Sequence, residues 1–521
     1  MRKPSLVLLA AALLVIVIGC APAPPPEPPP TGAASAWVTD SLTRVGLRDT
    51  PRTGSEALIT ALRGETESFQ IVVSGGATGA AGLDLVVSDL VGRAGTVPAS
   101  AVTRFREHYV EVTESSPDGG GRSRPQPAGH FPDVLVPFTD PDTGVALHGR
   151  VRAAGASVAA GRNQPYWVDV TVPPDAAPGE YTGRWTVRGT GGFTASGTVR
   201  LSVVDAALPA RPALHSAVLN GSGRPAVSRE LLRNRITPTS ARPGPGDPLS
   251  AAVTTTDTGF FSGADQYVCR LDPPPTPAEV AAVAARAAPG TLLFNYTADE
   301  IGNCPDLRAE VQAWGRALHG AGVAQLLTQT PDPALFDDGT GRTAVDIWVV
   351  LPKQYDADPA AVREALDRGM QVWSYNALVQ DGYSPKWLID FPPVHLRVQP
   401  GFLNQALGLT GLLYWRADNW VQDVWTDVHT YAGGYPGEGV LVYPGEEVGL
   451  PGGAVPSIRL KWLRDGVDDY DYIDLARAGG HERAVTEIVS TVARSWSDWS
   501  PDPVVLRAAR AELVPLVTNA G

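Results

Sequence analysis

Residues 299 and 300 are Asp and Glu, side by side, at the end of the apolar run 291–298. A strand-like run that ends in two carboxylates is where a barrel enzyme puts its chemistry, because its catalytic residues sit at the C-terminal ends of barrel strands. Neighbouring carboxylates in unequal surroundings separate into a proton donor and a charge stabiliser. Asp and Glu also favour the first turn of a helix, so the pair alone leaves a helix N-terminus open.

Other chemistry-bearing residues gather where further strands should end. They are the segment 328–332, the segment 352–355 with Lys353, Trp373 with Tyr375, Asp390 with Arg397, and Tyr414-Trp415-Arg416 with Asn419 and Trp420. Aromatic faces stack on the apolar faces of pyranose rings, while Asp, Asn and Arg bond hydroxyls. Small-ligand pockets combine apolar walls with a few placed polar groups, so the mixture suits a sugar. A single aromatic is more often core than platform. Trp348 lies inside a strand pattern and reads as core, whereas Trp415 and Trp420 bracket a polar loop.

The elements that must position these residues fall into two patterns. From 37 to 207 the chain shows short alternating runs, such as 68–73, 166–172, 180–187 and 197–204, separated by turn residues. Regular strands with Pro/Gly turns predict a β-sandwich. From 208 to 480 strand-like runs (214–219, 292–296, 325–328, 346–351, 371–375, 412–415) alternate with helical ones (277–288, 306–320, 359–369). Alternating β and α implies a parallel sheet, and a count near eight predicts a (β/α)8 TIM-type barrel. A doubly wound sheet is the alternative, but no Gly-rich phosphate loop accompanies it. Residues 481–521 read as a C-terminal helical extension. The fold class is thus multidomain, a sandwich followed by a barrel.

The N-terminus reads as a processing signal. Arg2 and Lys3 precede an apolar stretch from Leu6 to Ile18, closing on Gly19-Cys20. Such a segment predicts a secretory signal over 1–19, with Cys20 as a lipidated first mature residue. A proline-rich tether, 20–36, follows. The expected location is extracytoplasmic, with membrane contact only through the lipid. The formal charge is −13, or −15 once Arg2 and Lys3 are removed, which makes nucleic acid a poor partner. With Cys20 assigned to lipid, Cys269 and Cys304 remain, and two thiols in an exported protein are expected to pair. The eight His are scattered and zinc-ligand spacings are absent, so no metal is expected.

Taken in order, several short pieces resemble the glycoside hydrolase family 123 catalytic-domain-like proteins. Glu67-Ser-Phe-Gln70, Phe131-Pro-Asp133 and Asn163-Gln-Pro-Tyr-Trp167 are similar to the sandwich of that group. Tyr296 with Asp299-Glu300, Gly411-Leu-Leu-Tyr-Trp415 with Asn419-Trp420, Tyr443-Pro-Gly445 and Leu463-Arg-Asp-Gly466 are similar to its barrel. Ile301 stands where the family commonly has Pro. The resemblance implies hydrolysis of a terminal β-linked N-acetylhexosamine, typically N-acetylgalactosamine, by a substrate-assisted mechanism. It implies Glu300 as general acid and then base, and Asp299 as the group that holds the acetamido N–H. Tyr375 would bond the acetamido carbonyl. The remaining substrate-binding candidates are Tyr296, Trp373, Asp390 and Arg397, with Trp415, Asn419 and Trp420 from the last strand. No cofactor is implied, and the expected partner is a glycan or glycoconjugate. Both carboxylates reach one pocket only if the chain leaves the strand at Ala298, because successive strand residues face opposite ways. Two other readings remain: a non-catalytic glycan-binding lipoprotein, and a glycosidase with a second carboxylate about 5–10 Å from Glu300, Asp390 being the first to inspect. A solute-binding lipoprotein ranks last, since its two lobes would not begin with a sandwich.

Overall fold

The computed structural model describes residues 31–239, 243–244 and 246–518. The signal segment 1–19, Cys20 and most of the tether lie outside the described residues.

The first domain is two packed sheets. One runs in the order Ser35–Asp40, Thr66–Ser74, Asn163–Thr171, Val102–Val112, Gly129–Pro137, antiparallel throughout. The other is built mainly from Glu56–Arg63, Thr194–Ala207, Gly179–Arg188 and Ala80–Val87. Period-two alternation sends Ile59, Leu85, Trp185 and Leu201 from one sheet, and Phe69, Ile71, Tyr166 and Val168 from the other, into a shared core. The five-stranded sheet is covered on its second face too. Phe105, Leu135 and Trp167 point away from that core and join the barrel-side cluster. This explains why residues 163–170 are buried at every position.

The second domain is a sheet of seven parallel strands: β1 (His215–Val218), β2 (Thr255–Asp257), β3 (Leu292–Asp299), β4 (Ala324–Thr328), β5 (Ile347–Val350), β6 (Gln371–Tyr375) and β7 (Gly411–Tyr414). The order is β1-β7-β6-β5-β4-β3-β2. Phe294, Leu326, Val349, Trp373 and Leu413 fill its interior. Between β1 and β2 the ring is almost closed. Val218 makes a lone bridge to Pro238, and the Thr255 hydroxyl donates to the Ser216 carbonyl at 2.6 Å. The sheet is therefore a nearly closed parallel barrel, but the expected eightfold repeat is not reproduced. Pro238 lacks the N–H a longer strand would need at that place. Between β4 and β5 the only helical element is the short turn Pro333–Leu335.

The helix Ile458–Ala478 closes the barrel and joins the domains. Hydrophobic periodicity cannot describe it, because it is buried nearly all round, charges included. Those charges are paired. Arg459 donates from two nitrogens to Asp133 of the sandwich (2.8 and 2.9 Å), Lys461 and Arg464 meet Asp169 (3.0 and 3.2 Å), and the Trp462 indole donates to the Ser41 carbonyl (2.8 Å). The helices Glu482–Val492 and Pro503–Thr518 pack behind it, and Arg510 bridges Asp469 and Glu65.

Candidate active site

Asp299 and Glu300 lie at the C-terminal end of β3, and the backbone there solves the problem of facing. The pairing of β3 with β4 slips between Tyr296 and Ala298, so Thr297 is an extra residue. Such a bulge resets the alternation. Tyr296 packs with the barrel interior, Ala298 with the outer cluster, and Asp299 returns to the Tyr296 side. The strand thus runs through Asp299 rather than ending at Ala298. The turn comes one residue later, where Glu300 adopts a left-handed conformation (φ 51°, ψ 38°). A non-glycine residue held there stores roughly 1–3 kcal/mol of strain, characteristic of sites where geometry is over-determined.

Thr328, at the end of β4, fixes both residues. Its hydroxyl donates to Asp299 Oδ1 (2.8 Å) and accepts from the Glu300 N–H (2.8 Å). The Tyr296 hydroxyl also donates to Asp299 Oδ1 (2.7 Å). Among the described residues, Asp299 Oδ2 accepts no hydrogen bond. The two carboxylates thus have unlike surroundings. Burial raises the Glu300 pKa above its ordinary value, the neighbouring Asp299 charge raises it further, and Lys353 opposes both. A carboxyl that holds its proton more tightly than usual, beside a second carboxyl anchored by two hydroxyls, is the division of labour acid catalysis needs.

Across the barrel, Tyr375 closes β6. Burial, then the charges of Glu300 and Asp299, push its hydroxyl well above the usual tyrosine range, so it stays protonated and able to donate. Trp415, just after β7, is half-buried beside the interior core, with Tyr431 edge-on to it (centroids 5.8 Å).

Two participants escape a reading of the sequence. Thr328 was seen only as part of a polar segment. Glu438 was not seen at all. It is buried, accepting the Trp415 indole N–H, the Leu378 N–H (2.9 Å) and the Tyr414 hydroxyl (3.3 Å), and its charge is felt at Tyr375. Its signal in the sequence was Gly437-Glu438-Gly439. Both glycines have positive φ, and a Cβ on Gly439 would stand 2.6 Å from the Trp415 ring.

Other expected site residues are committed to partners of their own. Asp390 is fully buried and holds the N–H and hydroxyl of Ser116 in the sandwich (2.7 and 2.8 Å). Arg397 is buried against Asp469 of the closing helix (2.7 and 2.8 Å). These two charged residues are structural braces, and Asp390 is not a second carboxylate beside Glu300. Trp373 is fully buried in the barrel interior against Phe294 and His215. Asn419 is committed to the Thr430 carbonyl (2.8 Å), and Trp420 donates to the Val442 carbonyl (2.9 Å) under the Arg224 guanidinium. The structure therefore brings together Tyr296, Asp299, Glu300, Tyr375 and Trp415. Cys269 and Cys304 are joined by a disulfide. A cavity of about 760 Å³ between sandwich and barrel flank touches none of the acidic pair's neighbours, and the Arg233, Arg235, Lys461 and Arg464 side chains that line it are all in ion pairs.

A sandwich followed by a parallel barrel, with a carboxyl pair at a strand end, is a build on which glycoside hydrolysis can run. Family models agree at both ends of the chain. Residues 48–189 match the glycoside hydrolase 123 N-terminal domain, and residues 334–476 match the glycoside hydrolase 123 catalytic domain. The chain is a glycoside hydrolase family 123-like protein, and an enzyme of the glycosidase class. No curated protein sequence matches it. Among solved structures, a family 123 glycoside hydrolase from Clostridium perfringens, studied for glycolipid glycan hydrolysis, shares the fold. Its TM-score is 0.64 at 10% identity, covering 94% of this chain and 98% of that one. A Bacteroides ovatus GH5 xyloglucanase aligns with TM-score 0.26 at 10% identity over 83% of this chain and all of that one. A family 39 glycoside hydrolase from Bacteroides cellulosilyticus aligns with TM-score 0.25 at 11% identity over 74% and 80%. Both scores are too low to carry an argument.

Proposed function

We propose that this glycosidase removes a terminal β-linked 2-acetamido sugar, N-acetylgalactosamine-like, from a glycan or glycoconjugate by a substrate-assisted, retaining mechanism. The observation that carries the reading is the unequal pair: Asp299 anchored by Tyr296 and Thr328, Glu300 raised in pKa and turned by its left-handed backbone. A conventional retaining site needs two carboxyl groups about 5–5.5 Å apart on opposite sides of the bond. Adjacent residues at the end of one strand suit instead a reaction whose nucleophile belongs to the substrate.

In the first step the acetamido carbonyl oxygen attacks the anomeric carbon. The bond to the aglycone breaks, its electron pair goes to the leaving oxygen, and that oxygen takes the Glu300 proton. Asp299 Oδ2 accepts the acetamido N–H and balances the positive charge that develops on the ring being formed. Tyr375 donates to the acetamido oxygen and orients it. In the second step Glu300, now a carboxylate, removes a proton from water as that water attacks the same carbon, which restores the acetamide and retains the configuration. Trp415, fixed by Glu438, stacks on the sugar. The Clostridium perfringens neighbour's association with glycolipid glycans supports a glycoconjugate as substrate. We extend the proposal to an exported protein, lipid-anchored through Cys20 and complete as a (β/α)8-type barrel in which residues 236–239 stand for the missing strand.

The test is hydrolysis of aryl β-N-acetylgalactosaminide and β-N-acetylglucosaminide by the mature chain, beside Glu300→Gln and Asp299→Asn. Turnover of either sugar, lost in both variants, supports the reading. Turnover that survives Asp299→Asn unchanged would sink it.

A further inference from the structure

Residues 259–270, the segment that follows β2, run beside the acidic pair and are held to it at four points. The Ser262 N–H donates to the Thr297 carbonyl (3.0 Å), the Asp299 N–H to the Ala264 carbonyl (3.1 Å), and the Asn303 amide to the Gln266 carbonyl (2.9 Å). The Cys269–Cys304 disulfide closes the far end. A segment tethered this way would be expected to bury its apolar side chains. Phe260 and Ala264 do pack inward, but two rings are presented instead: Phe261 is 54% exposed and Tyr267 85% exposed. Phe261 is also tied to the chemistry. Its ring stands edge-on to Tyr296, centroids 6.4 Å apart, and Tyr296 in turn holds Asp299.

Phe261 thus presents an exposed aromatic face two contacts away from Asp299, close enough to meet a substrate that reaches the acidic pair. A rigid aromatic on a braced loop binds at low cost in lost freedom. The proposed mechanism assigns Tyr375 and Trp415, across the barrel, to the cleaved sugar, so the Phe261 face is left for what that sugar is attached to. We propose that Phe261 is the platform of an aglycone-side subsite that takes a hexose, and that the Cys269–Cys304 disulfide fixes this platform against the acidic pair. The proposal rests on the glycosidase reading of the site.

The test uses the Glu300→Gln protein, so that ligands bind without being consumed. It is titrated with a β-linked N-acetylhexosaminyl-hexose disaccharide and with free N-acetylhexosamine. The disaccharide should bind more tightly. Phe261→Ala should weaken the disaccharide about five- to tenfold, the usual scale for truncating a binding aromatic, and leave the monosaccharide within about twofold; Phe261→Trp should keep the preference. Cys269→Ser with Cys304→Ser should weaken the disaccharide in the same selective way. Phe261 is exposed, so its variants keep the fold, which an unchanged melting temperature checks. Equal affinity for the two sugars, binding of neither, or equal weakening of both by Phe261→Ala would overturn the subsite. A parent protein that shows the disaccharide preference but hydrolyses nothing would overturn the enzymatic reading and leave the subsite standing.

Discussion

In the proposed mechanism Glu300 works as a protonated acid, so the direction of its pKa shift sets the pH profile. Burial and the Asp299 charge raise it, and Lys353 lowers it. The alkaline limb of kcat/KM therefore lies above the ordinary glutamate range. Lys353→Met removes the opposing charge and should move that limb to higher pH; a profile that moves down, or stays fixed, contradicts the assignment. Glu300→Gln should cost about 10²–10⁴-fold in kcat, the usual worth of a positioned general acid. The pair itself could be read from the sequence because two carboxylates at the end of an apolar run are conspicuous. Glu438 was missed because its one local signal, the flanking glycines of Gly437-Glu438-Gly439, does not tell a loop glutamate that accepts an indole N–H from one that faces water. Asp390 and Arg397 misled for a related reason: buried ion pairs and site charges look alike until their partners are known.

At the scale of the element, the site depends on a one-residue bulge and on one threonine. Thr328 serves both carboxylate residues through a single hydroxyl. Thr328→Val keeps the shape and removes both bonds, leaving the Glu300 N–H without its partner, a loss of about 1–3 kcal/mol. The expected outcome is a fall in kcat of about tenfold or more with a small change in melting temperature, checked by steady-state kinetics and calorimetry on one preparation. Unchanged kcat would mean that the hydroxyl does not set the geometry. Strand identity was legible here because 292–296 is apolar and bounded by polar turns. The bulge was not: the period of two predicts opposite faces, and the slip at Thr297 depends on pairing with β4, which is a tertiary fact.

Sandwich and barrel are one mechanical unit. The closing helix sends Arg459 to Asp133 and Arg464 to Asp169, and both arginines are fully buried. Removing one partner strands the other: Asp133→Asn should destabilise the whole chain by about 3–5 kcal/mol and lower a single unfolding transition rather than split it in two. Glu107, on the strand Val102–Val112, has a different effect. Among the described residues neither of its carboxylate oxygens has a hydrogen-bond partner, and burial pushes its pKa from 4.5 up to about 8. The folded chain keeps a proton there that the unfolded chain releases, so this contribution is fully present below about 4.5 and is lost as pH rises through about 8. Glu107→Gln should melt higher than the parent at pH 9, and the gap should close by pH 5; a constant gap would contradict the buried-acid account. The two-domain order was legible because the switch from period two to alternating β and α near residue 208 is a property of local pattern. The missing eighth strand was not, because Pro238 and the short link after β4 interrupt the repeat without changing its overall rhythm. The central claim, that the substrate's own acetamido oxygen is the nucleophile, is tested most directly by the rate of aryl glycoside hydrolysis as the N-acetyl group is replaced by mono-, di- and trifluoroacetyl. Each fluorine weakens that oxygen as a nucleophile, so kcat/KM should fall steeply along the series; a rate that stays level would place the nucleophile on the protein or on water and contradict the mechanism.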